Sequence, residues 1–298
     1  MAEGRVLDDN PFLLKQVKET LAQAGVVSAG TEAEILIQHF GQMTRMELFS
    51  GEKKLPILQE NRLREAVENR IQGVPLAYLL KEAEFFGHKF FVNENVLVPR
   101  PETEILVQEA LRLISLPPLE RRRTMAMRLP LQVLDIGTGC GCIAIALTLE
   151  RPDIRMTALD VSKEALKIAR KNMDFHELEK RIVLVESDLF TALGGKQFDI
   201  VVSNPPYIPE EDLADLPREV KKEPVLALDG GHGGFRVMDK ILDRAPDFLR
   251  PGGFLILEIG KGQAEILAGR LARMAHYEDV RFVKDYNGIN RVLIAKRR

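Results

Sequence analysis

The chain has 298 residues, enough for one large domain with a small companion or for two of medium size. An apolar content of 45% and a charged content of 29% are those of an ordinary globular protein, and a net charge of -2 gives no global pull toward nucleic acid or an anionic membrane. No apolar run reaches membrane length, no secretory signal stands at the start, and Cys140 and Cys142 lie too close for an ordinary disulfide, so a reducing cytoplasmic setting is expected.

Residues 11–73 read as helices. Leu14, Val17 and Leu21 recur at helical spacing before Gly25, a residue suited to a C-terminal stop. Thr31 with Glu34, and Thr44 with Glu47, have the spacing of capping boxes. Leu63, Val67 and Ile71 mark one face of a further helix closed by Gly73, and no strand pattern interrupts this region. A small helical domain over residues 1–83 is expected. The aromatic stretch from Glu84 to Asn93 then predicts two short antiparallel strands, part of a hairpin linker over 84–99. Pro101 and the acids after it suit a helix start.

From residue 100 to 298 strands and helices alternate. Apolar runs at 131–136, 154–159, 182–186, 198–203 and 253–259, separated by helical segments, predict a parallel sheet covered on both faces. Residues 279–284 and 291–296 flank Tyr286-Asn287-Gly288 and predict a closing antiparallel pair. The stretch 116–130, with two prolines and Arg121, Arg122, Arg123 and Arg128, reads as a solvated surface insertion.

Gly137-Thr138-Gly139-Cys140-Gly141 joins the first strand of this region to a helix. Its glycines permit positive φ and close approach of a ligand, but their spacing is G-x-G-x-G. The dinucleotide fingerprint needs glycine where Cys142 stands, which disfavours a dehydrogenase. Asp160 ends the next strand, where a carboxylate can accept hydrogen bonds from ribose hydroxyls or cap the following helix. Asp188 and Leu189 follow the third strand. Acidic strand ends without a phosphate-binding lysine suit a nucleoside that carries no phosphate and bears positive charge, which describes S-adenosylmethionine. Asp135 could favour its ammonium directly or by orienting the loop. The two cysteines read as small packing residues. The five histidines (39, 88, 176, 232 and 276) lack ligand spacing, so no metal is expected.

Asn204-Pro205-Pro206-Tyr207 closes the fourth strand. Two prolines stiffen the turn and remove two N–H donors, leaving it rich in acceptors. The Asn204 side-chain oxygen and the Pro205 carbonyl can hold a planar NH2 group, with Tyr207 as an aromatic wall. Such a nitrogen belongs to an exocyclic amine of a base or to a side-chain amide.

These features together are similar to the PrmC (HemK) family of protein-glutamine methyltransferases. The resemblance spans nearly the whole chain and is carried by Pro75 to Leu80, Glu84 to Gly87, Val98-Pro99-Arg100-Pro101-Glu102-Thr103-Glu104, the glycine loop, Asn204 to Pro209, and Asp285 to Arg291. It implies a Rossmann-like α/β class I S-adenosylmethionine-dependent methyltransferase sheet with a small N-terminal helical domain that helps dock the substrate. The implied reaction is N5-methylation of the glutamine in the Gly-Gly-Gln loop of class 1 peptide chain release factors, by a cytoplasmic monomer with no direct nucleic-acid or membrane partner. It further implies that Gly137, Thr138, Gly139, Cys140, Gly141, Asp160, Leu189 and Asn204 contact the cofactor. Asn204, Pro205, Pro206 and Tyr207 would hold the glutamine, with Asn204, Pro205 and Tyr207 as the catalytic set. Gly230-Gly231-His232-Gly233-Gly234 departs from relatives that carry an acid before a Gly-Leu pair; the segment 208–235 around it has the length of a lid or docking loop, the alternative being a passive surface connection.

Two other readings compete. An amino-methyltransferase of DNA or RNA would use the same turn on a flipped base, but the acids Asp8, Asp9, Glu32, Glu34, Glu60, Glu65 and Glu68 disfavour polyanion binding. A non-catalytic cofactor-binding scaffold would have no use for the intact acceptors at 204–207.

Overall fold

The computed structural model describes residues 10–115 and 130–298, so the Arg-rich stretch at 116–129 lies outside the described residues. The chain divides into two compact units. One takes in the described residues up to Lys81 together with Pro217–Lys222; the other holds Glu82–Leu216 and Glu223–Arg298.

The first unit is helical: α1 (Asn10–Gln23), α2 (Ala29–Gly41), α3 (Arg45–Ser50), α4 (Ile57–Ile71) and α5 (Leu76–Leu80). Leu21, Leu36, Ile37, Leu48 and Leu63 fill its core. The Thr44–Glu47 capping box forms in both directions, and Gly51 ends α3 in the left-handed region. Thr31 and Glu34 make no box. The helix begins two residues before Thr31, at Ala29, and the Ser28 hydroxyl donates to Glu32 Oε1 at 2.9 Å. Glu32 is then committed to a buried partner: Arg70 donates to it through Nε at 2.5 Å and Nη2 at 3.1 Å, and Nη2 also reaches Glu219 at 2.6 Å.

The second unit opens with the hairpin β1 (Glu82–Phe85) and β2 (His88–Phe91), turned by Phe86 and Gly87, both at positive φ. That pairing of signs is the tight turn that matches strand twist. Next come α6 (Thr103–Ile114), β3 (Leu131–Ile136), α7 (Cys142–Glu150), β4 (Ile154–Asp160), α8 (Lys163–Phe175), β5 (Ile182–Glu186) and β6 (Phe198–Ser203). After short turns of 3-10 helix lie α9 (Val225–Leu228), α10 (Arg236–Phe248), β7 (Leu249–Glu258), α11 (Ala264–Leu271), β8 (Tyr277–Lys284) and β9 (Asn290–Arg297).

Seven strands form one sheet in the order β5-β4-β3-β6-β7-β9-β8. The first five of these are parallel; β9 runs antiparallel to β7, and β8 antiparallel to β9. Every residue of β6 is buried, as a central parallel strand covered on both faces requires. Chain order reverses between β3 and β6. Connections leave their C-terminal ends in opposite directions, and a crevice opens there. Ser203 fixes the two ends together by donating to the Ile136 carbonyl at 2.7 Å. No helix among the described residues is long and apolar enough to cross a membrane.

Candidate active site

A cavity of about 290 Å3 occupies this crevice. Gly137, Thr138, Gly139, Cys140, Asp160, Leu189, Asn204, Pro205 and Pro206 all line it, although they come from four different strand ends. Gly137 and Gly139 hold φ of 70° and 57°, and a Cβ on either would meet no protein atom within 4 Å, so both leave room beside the strand end. Gly141 is not on the cavity wall. A Cβ there would lie 3.2 Å from Ile145 and 3.4 Å from Ala169, so this glycine serves helix packing instead. Leu189 is held at a φ of 49°, a costly state for a branched residue, and the Ser187 hydroxyl donates to its carbonyl at 2.7 Å.

Two carboxyls shape the loop. Asp160 Oδ2 accepts from the Gly139 amide at 2.9 Å and Oδ1 from the Ser162 amide at 2.9 Å. Ser162 itself caps α8, so Asp160 is not the cap. A carboxylate has about four acceptor positions, so acceptor capacity remains for a hydroxyl donor entering the cavity. Burial raises the Asp160 pKa. Asp135 is fully buried behind the wall and accepts from the Thr138 hydroxyl at 2.6 Å. Its other oxygen has no hydrogen-bond partner, and burial lifts its pKa to about 7. Of the two roles open to it, orienting the loop through Thr138 is the one its position allows.

Cys140 and Cys142 are buried free thiols; contact with Cys140, followed by burial, raises the pKa of Cys142 well above the ordinary range. Both pack rather than react. The carboxyls, the glycine cradle and the cavity volume fit S-adenosylmethionine. Three cations also border the cavity. Arg100 pairs with Glu223, Arg236 with Asp229 at 2.8 Å, and Lys240 stands on α10, away from the strand ends where the sequence shows no lysine.

The Asn204 turn carries the polar edge of the site. Asn204 Nδ2 donates to the Thr103 hydroxyl at 3.1 Å. Among the described residues no hydrogen bond reaches Asn204 Oδ1 or the Pro205 carbonyl, and both residues border the cavity. Tyr207 is placed otherwise than expected. It is not on this wall; it borders a neighbouring cavity with Gly260 and Gln263, and its hydroxyl donates to Glu258 Oε1 at 3.3 Å. Burial, then the adjoining Glu258, raises its pKa.

Sequence reasoning missed Glu258, Thr103, Gln263 and Asn172. Residues 200–209 carry no acid, yet the end of β7 brings Glu258, 1% exposed, beside the turn. Gln263 donates to the carbonyls of Tyr207 at 3.1 Å and Gly234 at 3.3 Å. The dense glycines at 230–234 follow from this: a Cβ on Gly234 would overlap the Tyr207 carbonyl, and one on Gly230 would sit 2.7 Å from the Gly234 oxygen. Asn172 is fully buried; it accepts from the Phe91 amide at 2.7 Å and donates to the carbonyls of Phe91 at 2.9 Å and Cys140 at 2.8 Å, tying β2 to the glycine loop. A lone asparagine inside a helical segment gives no sequence signal of this.

The sheet order, the glycine loop at the switch point and the acidic strand ends define a Rossmann-like S-adenosylmethionine-dependent methyltransferase. Residues 13–80 match the PrmC N-terminal domain and residues 122–218 the Methyltransferase small domain. The release factor glutamine methyltransferase of Chlorobaculum tepidum is 39% identical over 289 residues, covering 94% of this chain and 95% of that one. That of Geobacter sulfurreducens is 39% identical over 275 residues, covering 92% and 91%. The fold, at 17% identity and a TM-score of 0.52, is also that of the hMettl16 catalytic domain in complex with MAT2A 3'UTR hairpin 6, with 82% of this chain and 84% of that one covered. The chain belongs to the release factor glutamine methyltransferase family.

Proposed function

We propose that this chain transfers a methyl group from S-adenosylmethionine to the side-chain amide nitrogen, N5, of the glutamine in the Gly-Gly-Gln motif of class 1 peptide chain release factors, supporting translation termination. The observation that carries this reading is the pair of uncommitted acceptors, Asn204 Oδ1 and the Pro205 carbonyl, on a cavity that the glycine loop also borders. The cofactor supplies an electrophilic methyl carbon on a sulfonium. Gly137, Thr138, Gly139, Cys140, Asp160, Leu189 and Asn204, which all line the cavity, would hold it; Asp160 would offer acceptors to its ribose hydroxyls, and Gly141 keeps the loop seated on α7.

Asn204 and Pro205 accept both hydrogens of the glutamine NH2 and so aim its nitrogen at the methyl. An amide nitrogen is a poor nucleophile, and orientation is what the turn offers; proximity of this kind is worth up to roughly 7–11 kcal/mol. The same acceptors stabilise the positive charge that grows on nitrogen. The cation formed by alkylating the amide nitrogen is a strong acid and loses its extra proton to water without a dedicated base. Pro206 stiffens the turn, and Tyr207 anchors it from behind through Glu258. The helical unit serves to dock the release factor, and Pro224, Leu226, Ala227 and Asp229 of the segment 208–235 line the cavity. The protein works as a monomer in the cytoplasm, where release factors act, and its buried free thiols accord with that setting.

The test is incubation of the pure protein with methyl-labelled S-adenosylmethionine and either a release factor or nucleic acid. Label on the Gly-Gly-Gln glutamine is the expected result. Label in nucleic acid and none in protein would overturn the choice of substrate in favour of a base amine.

A further inference from the structure

A side-chain amide can face a substrate with either end, and only its oxygen can accept from an incoming NH2 group. The surroundings of Asn204 decide which. Its Nδ2 meets the Thr103 hydroxyl at 3.1 Å, and that hydroxyl donates its single proton to Glu258 Oε2 at 2.6 Å. Tyr207 donates to the other carboxylate oxygen at 3.3 Å. Thr103 and Glu258 are 2% and 1% exposed, so water does not offer alternative partners.

We propose that Glu258, acting through Thr103, is the positioning residue that fixes the Asn204 carboxamide with its oxygen toward the substrate. An ionised Glu258 only accepts. Thr103 must then spend its proton on Glu258 and can only accept from Asn204, which turns the NH2 end inward and leaves Oδ1 facing the cavity. A neutral, donating group at 258 releases this order: it can donate to Thr103, Thr103 can donate to Asn204 Oδ1, and the amide presents NH2 to the substrate's own NH2. Two donors then meet and the substrate amide is no longer aimed. The inference rests on the reading of Asn204 as an acceptor for glutamine.

The charged and titratable groups around Glu258 are Glu102 and the Thr103 hydroxyl at the start of α6, Tyr207 after β6, and Arg291 on β9. Burial outweighs the help of Thr103, Tyr207 and Arg291 and lifts the Glu258 carboxyl to about 7. The ordered arrangement therefore holds above neutrality and is lost as pH falls through it.

The experiment compares wild type, Glu258→Gln, Thr103→Val, Thr103→Ser and Asn204→Ala in steady-state methylation of a release factor across pH, with cofactor affinity and thermal midpoint measured on each. Glu258→Gln and Thr103→Val are expected to lower kcat on the order of ten- to a hundred-fold with cofactor affinity unchanged. Thr103→Ser, which keeps the hydroxyl, recovers most of the loss seen in Thr103→Val. The wild-type kcat falls on the acid side of neutrality, and the Gln variant loses that limb. A merely structural role predicts instead that kcat, affinity and thermal midpoint decline together and that no acid limb disappears. Wild-type kcat in Glu258→Gln, with Asn204→Ala inactive, overturns this inference alone; full activity of Asn204→Ala overturns the reading beneath it. A readout without substrate is the NMR signal of the Asn204 side-chain NH2, which must shift in Glu258→Gln; an unchanged signal also overturns the inference.

Discussion

Replacing Asp135 by asparagine should make the protein gain stability relative to wild type as pH rises. Asp135 is completely buried, one of its oxygens lacks a partner, and its pKa rises from 3.8 to about 7, chiefly through burial, with the charge of Asp160 adding to the rise. The folded state thus holds a proton that the unfolded state has already released. Stability falls as pH rises through this window, by roughly 4 kcal/mol once both states are ionised. Asparagine removes the charge but brings an amide hydrogen that needs an acceptor, a penalty of about 1–3 kcal/mol. That penalty does not depend on pH. The stability gap between variant and wild type should therefore grow by roughly 2–3 kcal/mol between about pH 5 and about pH 8. Urea unfolding of both proteins at the two pH values measures it, because other titrating groups largely cancel in the difference. A gap that stays flat or shrinks as pH rises would refute the reasoning. The same variant should bind S-adenosylmethionine more weakly by calorimetry, because Thr138 loses the carboxyl acceptor that holds the loop.

Asn204→Ala removes one of the two free acceptors and should abolish glutamine methylation while the protein stays folded; full activity in the release-factor assay rules out the assigned role. Asn172→Ala deletes the three hydrogen bonds of a buried side chain, at 2.7, 2.8 and 2.9 Å, and should cost about 2–4 kcal/mol in chemical denaturation, with weaker cofactor binding because the Cys140 carbonyl is released. A loss below about 0.5 kcal/mol would mean that water replaces it freely. Gly234→Ala forces a Cβ onto the Tyr207 carbonyl at a φ of 82°, and should lower both the thermal midpoint and kcat. A variant with native stability and rate would show that the turn can shift without consequence.

Much of the chemistry can be read along the chain because it depends on short-range geometry. A glycine loop between strand and helix, an aspartate at the next strand end and an Asn-Pro-Pro-Tyr turn each impose their conformation within a few residues. The alternation of apolar runs dictates a covered parallel sheet, whose switch point brings those strand ends together. Local signals failed where a nearer partner won. Thr31 has capping-box spacing, but Ser28 and Glu32 lie at the actual start of α2, and Glu32 is drawn to Arg70. Tyr207 follows the turn in sequence, yet a buried acid 51 residues away takes its hydroxyl.

What only the tertiary structure decided is the polarity of the site. Thr103 and Glu258 stand 155 residues apart and meet because α6 packs against the end of β7. No pattern of periodicity or composition records such a meeting, since hydrogen-bond direction is set by which donor finds which acceptor once water is excluded. The chain by itself specified a stiff, acceptor-rich turn; the packed core determined which groups its atoms meet.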